Sequence, residues 1–222
     1  MEQPGRVTLE LAHLWRKLTG RRRRAQRAAK RAFAAALARL GPGDLAIDLG
    51  ANAGEFTVPL AQTGAEVHAF EPDPHALARL RMAVSGYENV TLHDAAAGGR
   101  AGVFKLYRSK LFGRDPDRRS KSSSLLAEKR NVSGMDAIEV QVVDFVGFLR
   151  ALDREVALIK MDIEGAEVEL LEALLASPEA GRVGEIFVET HERALPHLAG
   201  RTAALRARAA GLVRPRINWD WH

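Results

Sequence analysis

The chain has 222 residues, of which 33 are Lys or Arg, 28 are Asp or Glu and none is Cys. That length fits one domain with an appendage, and a 46% hydrophobic content suffices for a full core. Disulfide and thiolate chemistry are excluded, no run of about 18 apolar residues spans a bilayer, and the amino terminus lacks the apolar core of a secretory signal, so a cytoplasmic protein is expected.

Charge is uneven along the chain. Residues 1–40 carry 11 Lys/Arg against two acids, Glu2 and Glu10, for a net +9; the remainder carries 22 against 26, for a net −4. Val7, Leu11, Leu14, Trp15 and Leu18 have helical spacing, Thr19-Gly20 interrupts it, and a second helical stretch opens at Arg21 to Arg24. Ala29, Phe33, Leu37 and Leu40 share one side of it, and Gly41-Pro42-Gly43 ends it. Residues 1–43 therefore read as a basic helical extension, and 44–222 as the main domain. Either the arginines are the solvated face of helices covering a sheet, or residues 21–31 meet an anionic partner such as lipid, acidic glycan or nucleic acid. Only Trp15 and Phe33 interleave the basic residues, which is thin support for base stacking.

Leu45-Ala46-Ile47-Asp48-Leu49 is an apolar run ending near an acid, followed by Gly50-Ala51-Asn52-Ala53-Gly54 and a helical pattern from Phe56. A buried parallel strand has this composition, and glycines at its carboxyl end allow a tight turn beside a ligand. Asn52 stands where a dinucleotide fingerprint has its second glycine, so the turn suits a nucleoside without a pyrophosphate. Gly50 is expected to leave room for that ligand and Asp48 to point at it; the alternative is an ordinary strand–turn–helix corner.

Glu66 to Pro72 reads as a second strand, with Asp73 and Pro74 opening a helix. Glu71 ends that strand 23 positions after Asp48. An acid about 20 residues past the glycine turn is placed to accept from ribose hydroxyls. Asn89 to Ala95 reads as a third strand ending in Asp94, an acceptor suited to an adenine amine. Val103–Tyr107 and Ile138–Val143 alternate as strands, and the polar segment 108–135 between them reads as a substrate-recognising lid or a disordered insertion. Ala157 to Met161 leads into Asp162-Ile163-Glu164-Gly165-Ala166-Glu167 and a helix ending near Ser177-Pro178. Lys160, Asp162 and Glu164 share a face at period two, which is costly in a buried strand unless the charges are paired or used. Gly184 to His191 is a fifth strand bearing Glu189 and His191 at its end, 199–210 a helix, and Leu212 to Trp219 a last strand. The alternation predicts an α/β fold with a doubly wound, mostly parallel sheet.

Asp48-Leu49-Gly50-Ala51-Asn52-Ala53-Gly54, Phe70-Glu71-Pro72, Lys160-Met161-Asp162-Ile163-Glu164-Gly165-Ala166-Glu167 and Val188-Glu189-Thr190-His191 together resemble the FkbM family of S-adenosylmethionine-dependent methyltransferases. The resemblance spans about residues 44–191. It implies a class I, Rossmann-like methyltransferase fold and O-methylation of a sugar, glycan or polyketide-type hydroxyl. It further implies that Asp48, Gly50, Asn52 and Gly54 line the methionine end of the cofactor, that Glu71 holds the ribose and that Asp94 sits by the adenine, with Phe56, Pro72 and Ala95 also binding the cofactor. The basic arm lies outside the shared motifs, and the chain stops soon after a sixth strand where a seventh is usual.

A hydroxyl needs a base within reach. His191 is favoured for that role, with Asp162 and Glu164 orienting the acceptor; either carboxylate is the alternative base, and the pair as ligands of a divalent cation such as Mg²⁺ is the disfavoured reading, two acids alone being weak evidence for a metal. Nucleic-acid methylation through the basic arm and a non-catalytic scaffold are the competing functions. A homo-oligomer is compatible with the chain.

Overall fold

The computed structural model describes residues 20–221, so the helix expected over 7–18 lies outside the described residues. In chain order the elements are α1 (Arg21–Leu37), β1 (Leu45–Leu49), α2 (Thr57–Gln62), β2 (Glu66–Phe70), α3 (Pro74–Ala83), β3 (Val90–His93), β4 (Ala96–Gly98), β5 (Gly102–Ser109) and α4 (Pro116–Arg119). They continue with β6 (Val132–Asp144), α5 (Phe145–Leu152), β7 (Val156–Met161), α6 (Glu167–Ala176), β8 (Val183–Val188), α7 (Ala199–Ala209) and β9 (Arg216–Asn218).

Six strands form one sheet in the order β3-β2-β1-β7-β8-β9, and every neighbouring pair is parallel. β1 is buried along its whole length because helices cover both faces of the sheet. Successive residues feed opposite layers: Ile47 and Ile159 pack with α5, α6 and α7, whereas Ala46 and Leu158 pack with α1 and α2. The strand order reverses between β1 and β7. Such a switch point, at the carboxyl ends of the strands, is where a doubly wound sheet leaves a crevice.

Local chemistry explains the ends of the elements. Asp73 caps α3 by accepting from the His75 amide, with Pro74 in the first turn. Glu167 and Glu169 sit in the first turn of α6, where the helix dipole favours negative charge. The last strand is shorter than the expected Leu212–Trp219: Pro215 has no N–H to give a ladder, and pairing with β8 begins at Arg216.

α1 is packed into this core. Phe33 lies against Phe56, Phe187 and Trp221 with ring centroids 4.4–5.7 Å apart, and Ala29 and Ala36 are buried beside it.

A second sheet, ordered β4-β6-β5, is built on an antiparallel β5–β6 hairpin, and β6 extends well beyond the expected 138–143. The connection 110–131 is folded, with α4 and flanking 3-10 turns, and it buries Ser120, Ser123, Ser124 and Lys129. The reading of this segment as a disordered insertion is therefore corrected. Its side chains find polar partners across the crevice.

Candidate active site

A crevice partly open to solvent lies at the switch point. It is lined from the β1–β2 side by Gly50, Asn52, Phe56, Glu71 and Pro72 and from the β7 side by Lys160, Asp162 and Glu164, and the two sides meet where Lys160 reaches the Gly50 carbonyl. Ser120, Lys121, Ser123, Ser124 and Leu125 of the hairpin connection complete the lining.

The β1–β2 end is held by main chain. Asn52 has φ +48°, a left-handed conformation that Asn tolerates better than most residues. Its backbone N–H thereby donates to Glu71 Oε2 at 2.7 Å, and its side-chain amide donates to Ser120 Oγ at 3.0 Å. The Asp73 N–H donates to Glu71 Oε1 at 2.8 Å. Glu71 is 6% exposed, and burial pushes its pKa from 4.5 to about 7 against the opposing pull of these hydrogen bonds. Asn52 Oδ1 is buried and accepts no hydrogen bond among the described residues.

Gly50 works differently from expectation. A Cβ there would overlap the main-chain carbonyl of Asp162, and φ is +78°. The missing side chain makes room for the β7 loop, not directly for a ligand. Asp48 is fully buried and turned away from the crevice: it accepts from Thr57 Oγ1 at 2.7 Å and faces Lys160 Nζ at 3.2 Å. Gly54 packs against Leu80 and Ala83 of α3. Asp94 is exposed, Ala95 is buried, and neither lines the crevice. Four residues expected at the cofactor, Asp48, Gly54, Asp94 and Ala95, thus lie outside the crevice lining.

The β7–β8 end is held by charge. Lys160 donates to the Gly50 carbonyl at 2.7 Å and pairs with Asp48, which accounts for one of the three charges read at period two. Burial disfavours its cationic form, but Asp48 and Asp162 outweigh that and raise its pKa. Glu164 does not share the strand face. β7 ends at Met161, and the chain turns through positive φ at Glu164 (+57°) and Gly165 (+116°), where a Cβ on Gly165 would overlap Leu195. The turn swings Glu164 towards β8 and the hairpin connection. Lys129 pairs with its Oε2 there, and Ser124 Oγ donates to its carbonyl at 2.6 Å.

His191 joins this group from behind. Its Nε2 lies 3.0 Å from Glu164 Oε2 and 3.7 Å from Asp162 Oδ1; its Nδ1 lies 3.1 Å from Glu167 Oε1. Glu167 is completely buried and also accepts from the His191 and Gly165 amides. Burial works against a charged imidazole, yet the hydrogen bonds and charges of Glu164 and Glu167 outweigh it and carry the His191 pKa to about 11. Glu164 is held low, its burial outweighed by His191 and Lys129. Burial raises Asp162, whose Oδ1 is a second buried oxygen without a hydrogen-bond partner. Burial and the nearby Asp162 charge lift Glu189 to about 7.

Asp162, Glu164 and His191 are therefore brought together, but His191 is outside the crevice lining and both its ring nitrogens face carboxylates. That geometry places His191 behind the carboxylates and not at the crevice where a base was expected. Sequence reasoning missed Lys129, Ser120 and Glu167. Glu167 was visible as the last acid of the Asp162–Glu167 run; Lys129 lies in an aperiodic polar segment that carries no signal.

The family model of the methyltransferase FkbM domain matches residues 48–208. No curated protein matches the chain. Solved structures that resemble parts of it include a Streptococcus mutans protein described as a methyltransferase and determined with SAH (29% identity, 26% of this chain and 34% of that one, TM-score 0.25). Others are an rRNA methylase from Streptococcus thermophilus (25%, 28% and 35%, 0.26) and a precorrin-6y C5,15-methyltransferase from Geobacter metallireducens (14%, 64% and 53%, 0.34). The matched segment spans about a third of the first two proteins' length.

Proposed function

The chain belongs to the FkbM methyltransferase family, and from that premise we propose that it moves the methyl group of S-adenosylmethionine to a hydroxyl of a sugar, glycan or polyketide-type molecule. The observation that carries this reading is the pairing of two unlike ends in one crevice. One end offers a fixed carboxylate, Glu71, and an unpartnered amide oxygen, Asn52 Oδ1; the other offers a carboxylate with an unpartnered oxygen, Asp162.

The residues fit a nucleoside bearing a cationic amino-acid tail. Each Glu71 oxygen holds one backbone N–H and keeps a lone pair for a ribose hydroxyl. Asn52 Oδ1 awaits a donor, and Phe56 and Pro72 supply apolar walls. S-adenosylmethionine held there would supply a methyl group already activated by its sulfonium, with a neutral thioether as the leaving group.

In this reading Asp162 takes the hydroxyl proton and passes it to solvent, because it lines the crevice and, unlike Glu164, is not tied to Lys129. Glu164, tied to Lys129 and His191, orients the acceptor. His191 and Glu167 form the buried brace behind the two carboxylates. Holding the acceptor oxygen in line with the methyl supplies much of the rate. The exposed Arg23, Arg24, Arg27 and Lys30 on α1 suit an acceptor carrying negative charge.

The test is incubation of the purified protein with methyl-labelled S-adenosylmethionine and a panel of free sugars, glycans, polyhydroxylated small molecules and RNA. Label on an acceptor oxygen is expected. Label confined to nitrogen, carbon or RNA would overturn the acceptor class, and no calorimetric binding of the cofactor would overturn the crevice assignment.

A further inference from the structure

We propose that Asp162, Glu164 and His191 form a site for one divalent transition-metal cation at the acceptor end of the crevice. Each offers a ligand atom, and the three atoms lie within 4.8 Å of one another. His191 Nε2 is 3.0 Å from the Glu164 carboxylate and 3.7 Å from that of Asp162. A cation bound at about 2.0–2.2 Å from each donor needs separations of this size.

Two further observations point to a cation and not merely to a gathering of acids. The first is the buried carboxylate on the far side of the imidazole. Metal-binding histidines characteristically give their other ring N–H to a carboxylate, which fixes the ring and strengthens the ligand nitrogen. Glu167 does this for His191 at 3.1 Å, and it is itself pinned by the Gly165 amide at 2.7 Å and the His191 amide at 2.9 Å. The second is Asp162 Oδ1, which is shielded from solvent and accepts no hydrogen bond although it faces the same point. A buried carboxylate oxygen without a partner is costly. A cation between it and His191 Nε2 would satisfy it.

Asp162, Glu164, Glu167 and Glu189 lie around the position, and a bound cation would share Glu164 with Lys129, whereas Lys160 is held by Asp48 and the Gly50 carbonyl. Two carboxylates with one imidazole suit Mn²⁺, Fe²⁺ or Zn²⁺ better than Ca²⁺, which prefers an all-oxygen shell. On binding, the cation takes the Nε2 position of the proton shared with Glu164, and that proton leaves to the buffer. The functional consequence rests on the hydroxyl-acceptor reading: a cation held behind two crevice-lining carboxylates adds positive charge that stabilises the negative charge the acceptor oxygen develops as its proton departs.

The experiment uses the full chain, stripped with chelator and titrated with Mn²⁺ alone, followed by the electron paramagnetic resonance signal of free Mn²⁺ and by calorimetry; Zn²⁺ is titrated in parallel. One Mn²⁺ per chain is expected. Asp162→Asn and Glu164→Gln should each weaken it at least about tenfold, and Glu167→Gln by about 10–100-fold through loss of the brace. Glu172→Gln, a surface carboxylate paired with Arg201, should bind as wild type does. Circular dichroism checks that each variant is folded, and His191→Asn replaces any that is not. Failure of the wild type to hold either cation at millimolar concentration, or wild-type affinity in the three site variants, overturns the site. The two readings fail separately. Unchanged methyl transfer by stripped enzyme in chelator overturns the cation's role and leaves the hydroxyl chemistry standing; Mn²⁺ bound at these residues without any hydroxyl methylation supports the site and overturns the acceptor class.

Discussion

At the β1–β2 end of the crevice the ligand-facing groups are fixed by main-chain amides, whereas at the β7–β8 end they are fixed by other charged side chains. Glu71 receives the Asn52 and Asp73 N–H groups, both from neighbouring turns of the same two strands. Glu164 receives Lys129 from the hairpin connection and His191 from the end of β8, and His191 leans on Glu167 at the start of α6. The first arrangement is local and survives most side-chain changes. The second is assembled from three separate segments, so each member is exposed to the loss of any other. That difference orders what mutation should do.

The largest effect should come from the contact that joins the two ends. Gly50→Val places a branched side chain where the Asp162 carbonyl lies, at a residue with φ +78°. Both ends must move, and calorimetry should show no measurable cofactor binding in protein that still gives a folded dichroism spectrum. Binding as in wild type would show that the close approach of the two loops is unimportant.

Next is Asp162→Asn, which should lower kcat by about 10²–10⁴-fold, the range lost with a general base. Cofactor affinity should be retained, because the β1–β2 end is untouched. A loss of affinity that matched the loss in kcat would mean that the ends are not separable.

Lys129→Met leaves the buried Glu164 carboxylate without its ammonium and should cost about 3–5 kcal/mol of stability, as removal of one partner from a buried pair does. Chemical denaturation measures it. Adding Glu164→Gln should recover part of the loss, since the stranded charge is then gone. Strictly additive losses in the double variant would remove Lys129 from the cluster.

The smallest effect is a pH dependence at the main-chain-held end. Burial raises the Glu71 pKa from 4.5 to about 7. Ribose hydroxyls donate best to the ionised carboxylate, so cofactor affinity should rise as pH increases through 7, by at most about tenfold per unit. Glu71→Gln should bind about 1–3 kcal/mol more weakly than the wild type above pH 7 and lose this rise. Stability of the ligand-free protein runs the other way. Between pH 4.5 and 7 the folded state holds the Glu71 proton more tightly than the unfolded chain, so this group's contribution falls as pH rises across that window. A rise in affinity that persisted in Glu71→Gln would assign it to another group.

Much of the β1–β2 end was legible from local pattern. The apolar run before Gly50, the acid ending β2 and the Asp73–Pro74 helix start are short-range signals, and all three elements form where they were expected. Asn52 was read as a departure from a glycine fingerprint. Its positive φ shows why it is tolerated, and its hydrogen bonds to Glu71 and Ser120 show what it adds. Asp48 was misread because an acid at a strand end looks the same whether it faces a ligand or a buried Lys; only the neighbouring strand supplies Lys160.

By itself, the sequence determined the α/β alternation, the parallel sheet and the family, because these rest on apolar periodicity, turn residues and motifs that are local in the chain. Tertiary structure alone decided which charges meet. The left-handed turn at Glu164–Gly165 breaks the period-two face, and the folded 110–131 connection carries Lys129 to Glu164. Glu167 draws His191 behind the carboxylates instead of into the substrate space. Electrostatic partnership depends on distance through space and on burial, and neither is encoded in the spacing of residues along a strand.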